Sequence, residues 1–362
     1  SISFGSAVAY GTSSAQKNNN KMGYDSASEK VVVFYRDEGD NSDGKASVGT
    51  VDSSDNSISF ATAVTVTTDT VDHVGVQGFS SGGQIIFVYS DTDNTKGNLK
   101  VGTISGTTLS VGSEIQVTTV NPSKWGLCED TTNDRIVVAY DRSGDSIANV
   151  YNPAFSITTL TSENYIGMSR GVAFQSGEAG SIGTAVSFES GTTALSHVAF
   201  DSSNNKVVIA YSDGADSDKG KAIVGTVSGT SISFGSIVVF EGGGVGNMDC
   251  VFDSDSNKVV IVFSDAGDSG RSKGIVGTVS GTSISFGSPT QFNSGANYAY
   301  DVAAAFDNSN NKVVVAYRDS GNSSYGTAAV GTVSGTSISF GTPVVYESAN
   351  SSQNAVVFDS SN

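Results

Sequence analysis

Short runs of apolar, β-branched residues alternate with polar turns along the whole chain, and the same order of runs keeps returning. Lys312 to Gly341, KVVVAYRDSGNSSYGTAAVGTVSGTSISFG, is one clear copy. In the copy that opens at His197, HVAFD (His197 to Asp201) predicts a short strand A and VVIAYSD (Val207 to Asp213) a strand B rich in β-branched residues. KAIVGTV (Lys221 to Val227) predicts strand C, and SISFGSIVVF (Ser231 to Phe240) strand D. The turns SSNNK and SGT are short enough to make these neighbours antiparallel. Strand B is apolar at nearly every position, which suits burial on both faces, whereas D alternates, as an outer edge does.

The aromatic that closes strand B serves as a ruler: Tyr35, Tyr89, Tyr140, Tyr211, Phe263 and Tyr317, spaced by 54, 51, 71, 52 and 54 residues. A several-stranded unit repeated at this period predicts an all-β fold, a β-propeller of four-stranded antiparallel blades; helical solenoids repeat at shorter spacing with a 3.6-residue pattern. Blades are expected over residues 22–66, 74–117, 126–168, 196–240, 248–291 and 300–346, in one domain spanning 1–362. Strands of type D and A each occur seven times but B and C only six. The expected ring therefore has seven blades, the closing one built from residues 1–10 and 354–362, because an open ring would expose unpaired edges. Six blades is the alternative, with the swollen repeat, about residues 164–190, forming a partial blade. The chain begins inside a repeat without Met, which reads as a processed form or an excerpt.

Composition fits a folded chain: with its 43 glycines added to 37% hydrophobic residues, about half is apolar in the broad sense. No run of 18 apolar residues offers a membrane span. A formal charge of −17, with 36 acidic against 19 basic residues, argues against nucleic acid, whose binding needs Lys and Arg to displace counterions, and equally against anionic membrane. Cys128 and Cys250 fall in equivalent A strands two units apart, too far for a disulfide, and are expected as buried free thiols.

Comparing the copies divides the loops in two. The A-to-B and C-to-D turns barely change (DSSNNK, DSDSNK, DNSNNK; SGTS), while the D-to-A connections differ in every copy, among them TTDTVDHVG, TTVNPSKWG, EGGGVGNMD and NSGANYAYD. One face is scaffold and the other is where loops on rigid strands build a binding surface. The candidate ligand-binding residues there are Trp125, Tyr165, Tyr298, Tyr300 and His73, since flat rings with a polar edge stack on sugars and dominate interface energies. The B-to-C loops are acidic. Asp37, Asp40 and Asp43, or Asp213, Asp216 and Asp218, offer the oxygen-rich wrapping that Ca2+ takes, although none follows the EF-hand spacing. The competing structural role for such aspartates is to close Asx turns at the end of strand B. Apart from Ca2+ no cofactor is expected. His197 has no sequence-local partner that would make a triad or a metal site.

The KVVVAYRD...GTAAVGTVSGTSISFG phrase resembles the tandem propeller repeats of large secreted bacterial proteins and of phage fibre or adhesin-like proteins, over nearly the whole chain. The resemblance implies surface display and recognition and assigns no catalytic residue. The leading expectation is a non-enzymatic, extracellular module at a cell surface or on a virion, binding a cell-surface glycan or protein through its variable face. The alternatives are a structural unit of a fibre or surface layer that binds other copies of itself, and a polysaccharide hydrolase or lyase, which would need a carboxylate pair at the central channel.

Overall fold

A computed structural model describes residues 4–10, 17–80, 83–142, 144–153, 156–158, 173–175, 180–293, 295 and 297–360. The chain is an all-β propeller of antiparallel four-stranded blades. The A strands are Lys17–Asp25, Val71–Phe79, Trp125–Asp130, Thr193–Asp201, the second half of Val238–Asp253, and Ala299–Asp307. Each pairs with its B strand: Lys30–Asp37, Gln84–Asp91, Arg135–Arg142, Lys206–Asp213, Lys258–Asp265 and Lys312–Asp319. Strand C follows, and strand D lies against C in two short pieces, as Ser231–Phe234 and the start of Val238–Asp253 lie against Lys219–Ser228. These sets are called units 1 to 6 in chain order.

Hydrogen bonding sorts the units into four separate sheets, units 1, 2, 3 and 6, and one nine-stranded sheet that joins units 4 and 5. Among the described residues neither seven nor six separate blades are formed. The join is the sixteen-residue strand Val238–Asp253, which serves unit 4 as D and unit 5 as A. The EGGGVGNMD connection, expected as a loop, continues as strand because glycines let the backbone shift register between Glu241 and Gly244, opposite Gly220 and Lys219, and again between Gly246 and Asp249. In unit 3, Ser181–Ile182 and Val186–Ser190 pair with Asp145–Asn152 as its strand D, so the unit runs to Ser190 rather than to 168. The extra residues fall between C and D, where Ser156–Thr158 and Ala173–Gln175 make a small two-stranded sheet.

Strand B alternates its apolar side chains between two neighbours, which explains why it is apolar throughout. Val208 and Ala210 of unit 4 pack with Val259, Ile261 and Phe263 of unit 5, while Val260 and Val262 of unit 5 pack with Val313, Val315 and Tyr317 of unit 6. The constant turns are held by side chains. Asp201 accepts the N–H groups of Ser203 and Asn204, both at 3.0 Å, and Asp253 and Asp307 repeat the motif. Cys128 and Cys250 are free and buried, and burial pushes both thiols up.

Between unit 6 and unit 1 the ring has a seam. Residues 4–10 pair with no strand among the described residues, yet they make the contacts of a D strand. Tyr10 lies 5.2 Å from Tyr35 and 6.1 Å from Phe60, as Phe240 lies 5.3 Å from Phe263 and 5.6 Å from Phe286. Phe4 packs at 5.3 Å on Tyr346. Residues 354–356 line the channel beside Val302 and Met22, where an A strand would run. The seam is less well covered than the other joins. Val314 and Val330 of unit 6 are half-buried, whereas their equivalents Val208, Val260, Val224 and Val276 are fully buried.

Candidate functional site

The A strands surround the central channel, and their first residues, fed by the variable D-to-A connections, form its mouth. A cavity of about 170 Å3 there is lined by Asn20, Lys21, His73, Lys124, His197 and Asp301, among others, and adjoins a deeper one of about 230 Å3 that reaches Asp249 and Cys250. The mouth side chains arrive from different units within two positions of the same phase of the repeat. The period alone therefore brings residues about 52 positions apart into contact.

His197 and Asp249 are the clearest case. Nδ1 of His197 lies 3.0 Å from Oδ1 of Asp249, the partner that no local motif supplies. Asp249 Oδ2 accepts the Ala304 N–H at 2.8 Å, so one carboxylate ties units 4, 5 and 6 together. Burial works to raise its pKa, but the His197 charge and hydrogen bond, the Ala304 N–H and Lys21 outweigh it and hold the carboxyl below its usual value. Because the folded-state pKa is depressed, the stabilisation is present above the unfolded carboxyl pKa, about 3.9, and is lost as pH falls through the folded value. Asp249→Asn is expected to cost about 2 kcal/mol at pH 7. The gap from the parent should close below about pH 4, as the parent's own carboxyl protonates, in urea unfolding series at several pH values.

The other acidic groups of the mouth are also paired. Asp72 lies 3.5 Å from Arg36 and 3.4 Å from Nδ1 of His73, and Asp301 lies 3.3 Å from Nε of Arg318. Crowding lowers the pKa of His73, against the pull of Asp72. The Arg318 guanidinium stacks 4.7 Å above the Tyr300 ring, and Tyr298 stacks on Tyr300 at 5.6 Å and 23°. Tyr298, Tyr300 and His73 thus stand at or beside the mouth, joined to it through Arg318 and Asp301.

Trp125 is placed differently. Its residue is only 7% exposed, its ring packs at 5.3 Å on Tyr140, and its indole N–H donates to Ser90 Oγ at 3.0 Å. It closes the core between units 2 and 3 and presents only an edge to the cavity. Tyr165 lies outside the described residues.

The acidic loops are on the same side of the disc but hold their charges internally. Lys45 bridges Asp37, at 3.3 Å, and Asp40; Asp43 donates its N–H to the Asp40 carbonyl at 2.9 Å. In unit 4, Lys221 sits on Asp213 and lies 3.1 Å from Asp216, which also meets Lys219 at 2.8 Å. Asp213 caps a 3-10 turn at Gly214–Asp216, and the Asp218 carbonyl accepts the Val245 N–H at 2.8 Å. In each loop a lysine ammonium lies between two of the carboxylates, Lys45 with Asp37 and Asp40 and Lys221 with Asp213 and Asp216. Among the described residues no three His, Cys, Asp or Glu side chains are gathered as a metal site would need. The mouth residues missed from sequence, Lys21, Asp249 and Asp301, were findable by aligning copies and reading down the first positions of strand A.

No protein-family model matches the chain, and no curated protein sequence matches it. Among solved structures, it is similar to a protein from Lactobacillus plantarum (15% identity, 83% of this chain and 78% of that one, TM-score 0.57). It is also similar to a candidate 6-phosphogluconolactonase from Bacteroides uniformis (10% identity, 94% and 89%, TM-score 0.57). A triple Arg-to-Ala mutant of AofleA from Arthrobotrys oligospora matches at 7% identity over 91% and 89%, TM-score 0.52. At such identities the likeness is one of fold, and it agrees with the sheets in making this chain a β-propeller.

Proposed function

We propose that this propeller is a non-enzymatic, extracellular recognition module that binds a cell-surface glycan at the channel mouth, as an adhesin or receptor-binding domain does. The observation that carries this reading is the convergence of Tyr298, Tyr300, Arg318 and Asp301 on the rim of a polar cavity fed by the variable connections. A stacked, half-exposed ring pair beside hydrogen-bonding side chains suits a sugar, whose apolar face stacks while its hydroxyls bond. Among the described residues, Asp72 and Asp301 are each paired with an arginine and Asp249 with His197, which speaks against a free acid and base for hydrolysis.

The test is a glycan array probed with the labelled chain. Tyr298→Ala and Tyr300→Ala are expected to weaken the hits about tenfold, the loss of a good aromatic contact. Their unfolding midpoints should stay close to that of the parent. An array without hits, or hits that both variants keep, would overturn the reading.

A further inference from the structure

The mouth carries two lysines that form no direct ion pair among the described residues. Lys45, Lys219, Lys221 and Lys273 each have a carboxylate within 3.3 Å, and Lys30, Lys100, Lys206 and Lys312 donate to backbone carbonyls. Lys21 and Lys124 line the mouth cavity and make no ion pair with any described residue, although acidic residues outnumber basic ones in the chain. The nearby acids are committed instead to Arg36, His197 and Arg318. The crowding of protein around the channel lowers the pKa of Lys21, and Lys124 adds to this by repulsion, against the pull of Asp249 and Asp301. The side chain is nonetheless open to channel water.

A second observation is independent of charge. Asn20 Oδ1 and Asn354 Nδ2 are buried, belong to residues that line the same cavity and have no hydrogen-bond partner. Their amide partners are fixed: Asn20 Nδ2 donates to Tyr10 Oη at 3.0 Å, and Asn354 Oδ1 accepts from Tyr346 and Ser351. Buried polar atoms without partners are rare in folded proteins, and two of them in the lining of one cavity mark a place where a polar ligand belongs. The cavity is small beside the 300–1,000 Å3 usual for drug-sized ligands, so it suits one residue of a glycan rather than several.

We propose that the channel mouth selects an acidic sugar, with its carboxylate or sulfate held between the ammonium groups of Lys21 and Lys124 and its hydroxyls bonded by Asn20 and Asn354. This rests on the recognition reading and names its ligand class. A neutral sugar would satisfy the amides but leave two crowded ammonium groups unbalanced, so selectivity is set by the lysines.

The experiment is calorimetric titration of the full chain with sodium glucuronate, glucose and sodium sulfate, at low and high NaCl. Glucuronate is expected to bind at least tenfold more tightly than glucose and to weaken with salt, since the mouth is open to solvent. Sulfate should bind more weakly than glucuronate and compete with it. Lys21→Gln and Lys124→Gln should each bring the preference for glucuronate over glucose down about tenfold, and Lys21→Arg should restore most of it. Equal binding of the two sugars, no binding of glucuronate, or an unchanged preference in both glutamine variants would overturn the proposal. Sulfate binding as tightly as glucuronate would reduce the site to a bare anion site and overturn the sugar part. If the array returns neutral glycans whose binding depends on Tyr298 while glucuronate fails, recognition stands and the acidic class falls. If glucuronate binds and no array member does, surface-glycan recognition falls and a site for a free sugar acid remains.

Discussion

Gly235→Ala is expected to destabilise the protein by about 3 kcal/mol, although it adds a single methyl group. A Cβ at Gly235 would stand 1.8 Å from the carbonyl oxygen of Thr282, in the C-to-D turn of the next unit. That oxygen belongs to backbone, so relief requires moving one unit against its neighbour. Two other joins are built in the same way: Gly183 faces the Thr230 carbonyl and Gly287 the Thr336 carbonyl, each at 1.8 Å. The control is Gly246→Ala, in the same long strand, where a Cβ meets nothing within 4 Å. It should shift stability by no more than about 0.5 kcal/mol. Urea unfolding of the pair checks the contrast, and equal effects would refute the packing argument.

Trp125→Ala is expected to cost about 3–5 kcal/mol, the range for emptying a buried aromatic site. The indole lies over Gly97, where a Cβ would meet its ring carbons at 2.7 and 2.9 Å, and is enclosed with Tyr140, Ile136 and Val138. Trp125→Phe should recover most of that loss, since it gives up mainly the bond to Ser90 and part of the ring. Any fall in ligand binding by the alanine variant must be compared at a temperature where it remains folded. A midpoint unchanged by Trp125→Ala, followed by near-ultraviolet circular dichroism, would show that the ring is not a core element.

Comparing units explains why this was hard to see from sequence. Above the glycine that opens strand C, unit 4 places Phe240 over Gly220 and unit 6 places Tyr346 over Gly326. Unit 2 has Val117 at that position of strand D, too small for the task, and Trp125 of the following unit reaches back to cover Gly97. A loop aromatic and a borrowed core aromatic look alike in a single copy; only the missing aromatic in unit 2 distinguishes them. The strands themselves were legible, because two-sided burial demands an unbroken apolar B strand and each Asp-led turn writes its own signature. The sheet count was not, since a glycine-rich run such as Glu241–Gly246 codes equally for a loop and for a bulged strand. The His197–Asp249 pair was hidden for a geometric reason: the ring makes neighbours of residues one whole period apart.

The seam also sets the order in which the molecule comes apart. In a fold made of similar units, each stabilised chiefly by its two neighbours, local opening starts where a unit has least to lean on. Phe4 and Val8 are 45% and 44% exposed there, and residues 354–359 are only half-buried. Amide hydrogens of units 1 and 6 should therefore exchange first and those of units 4 and 5, joined through a continuous strand, last. The ring behaves as a chain of couplings with one weak link, and that link lies beside Lys21 and Asn354. Occupancy of the mouth would then brace the joint most prone to open, so that ligand and mechanical integrity are coupled through the same few residues.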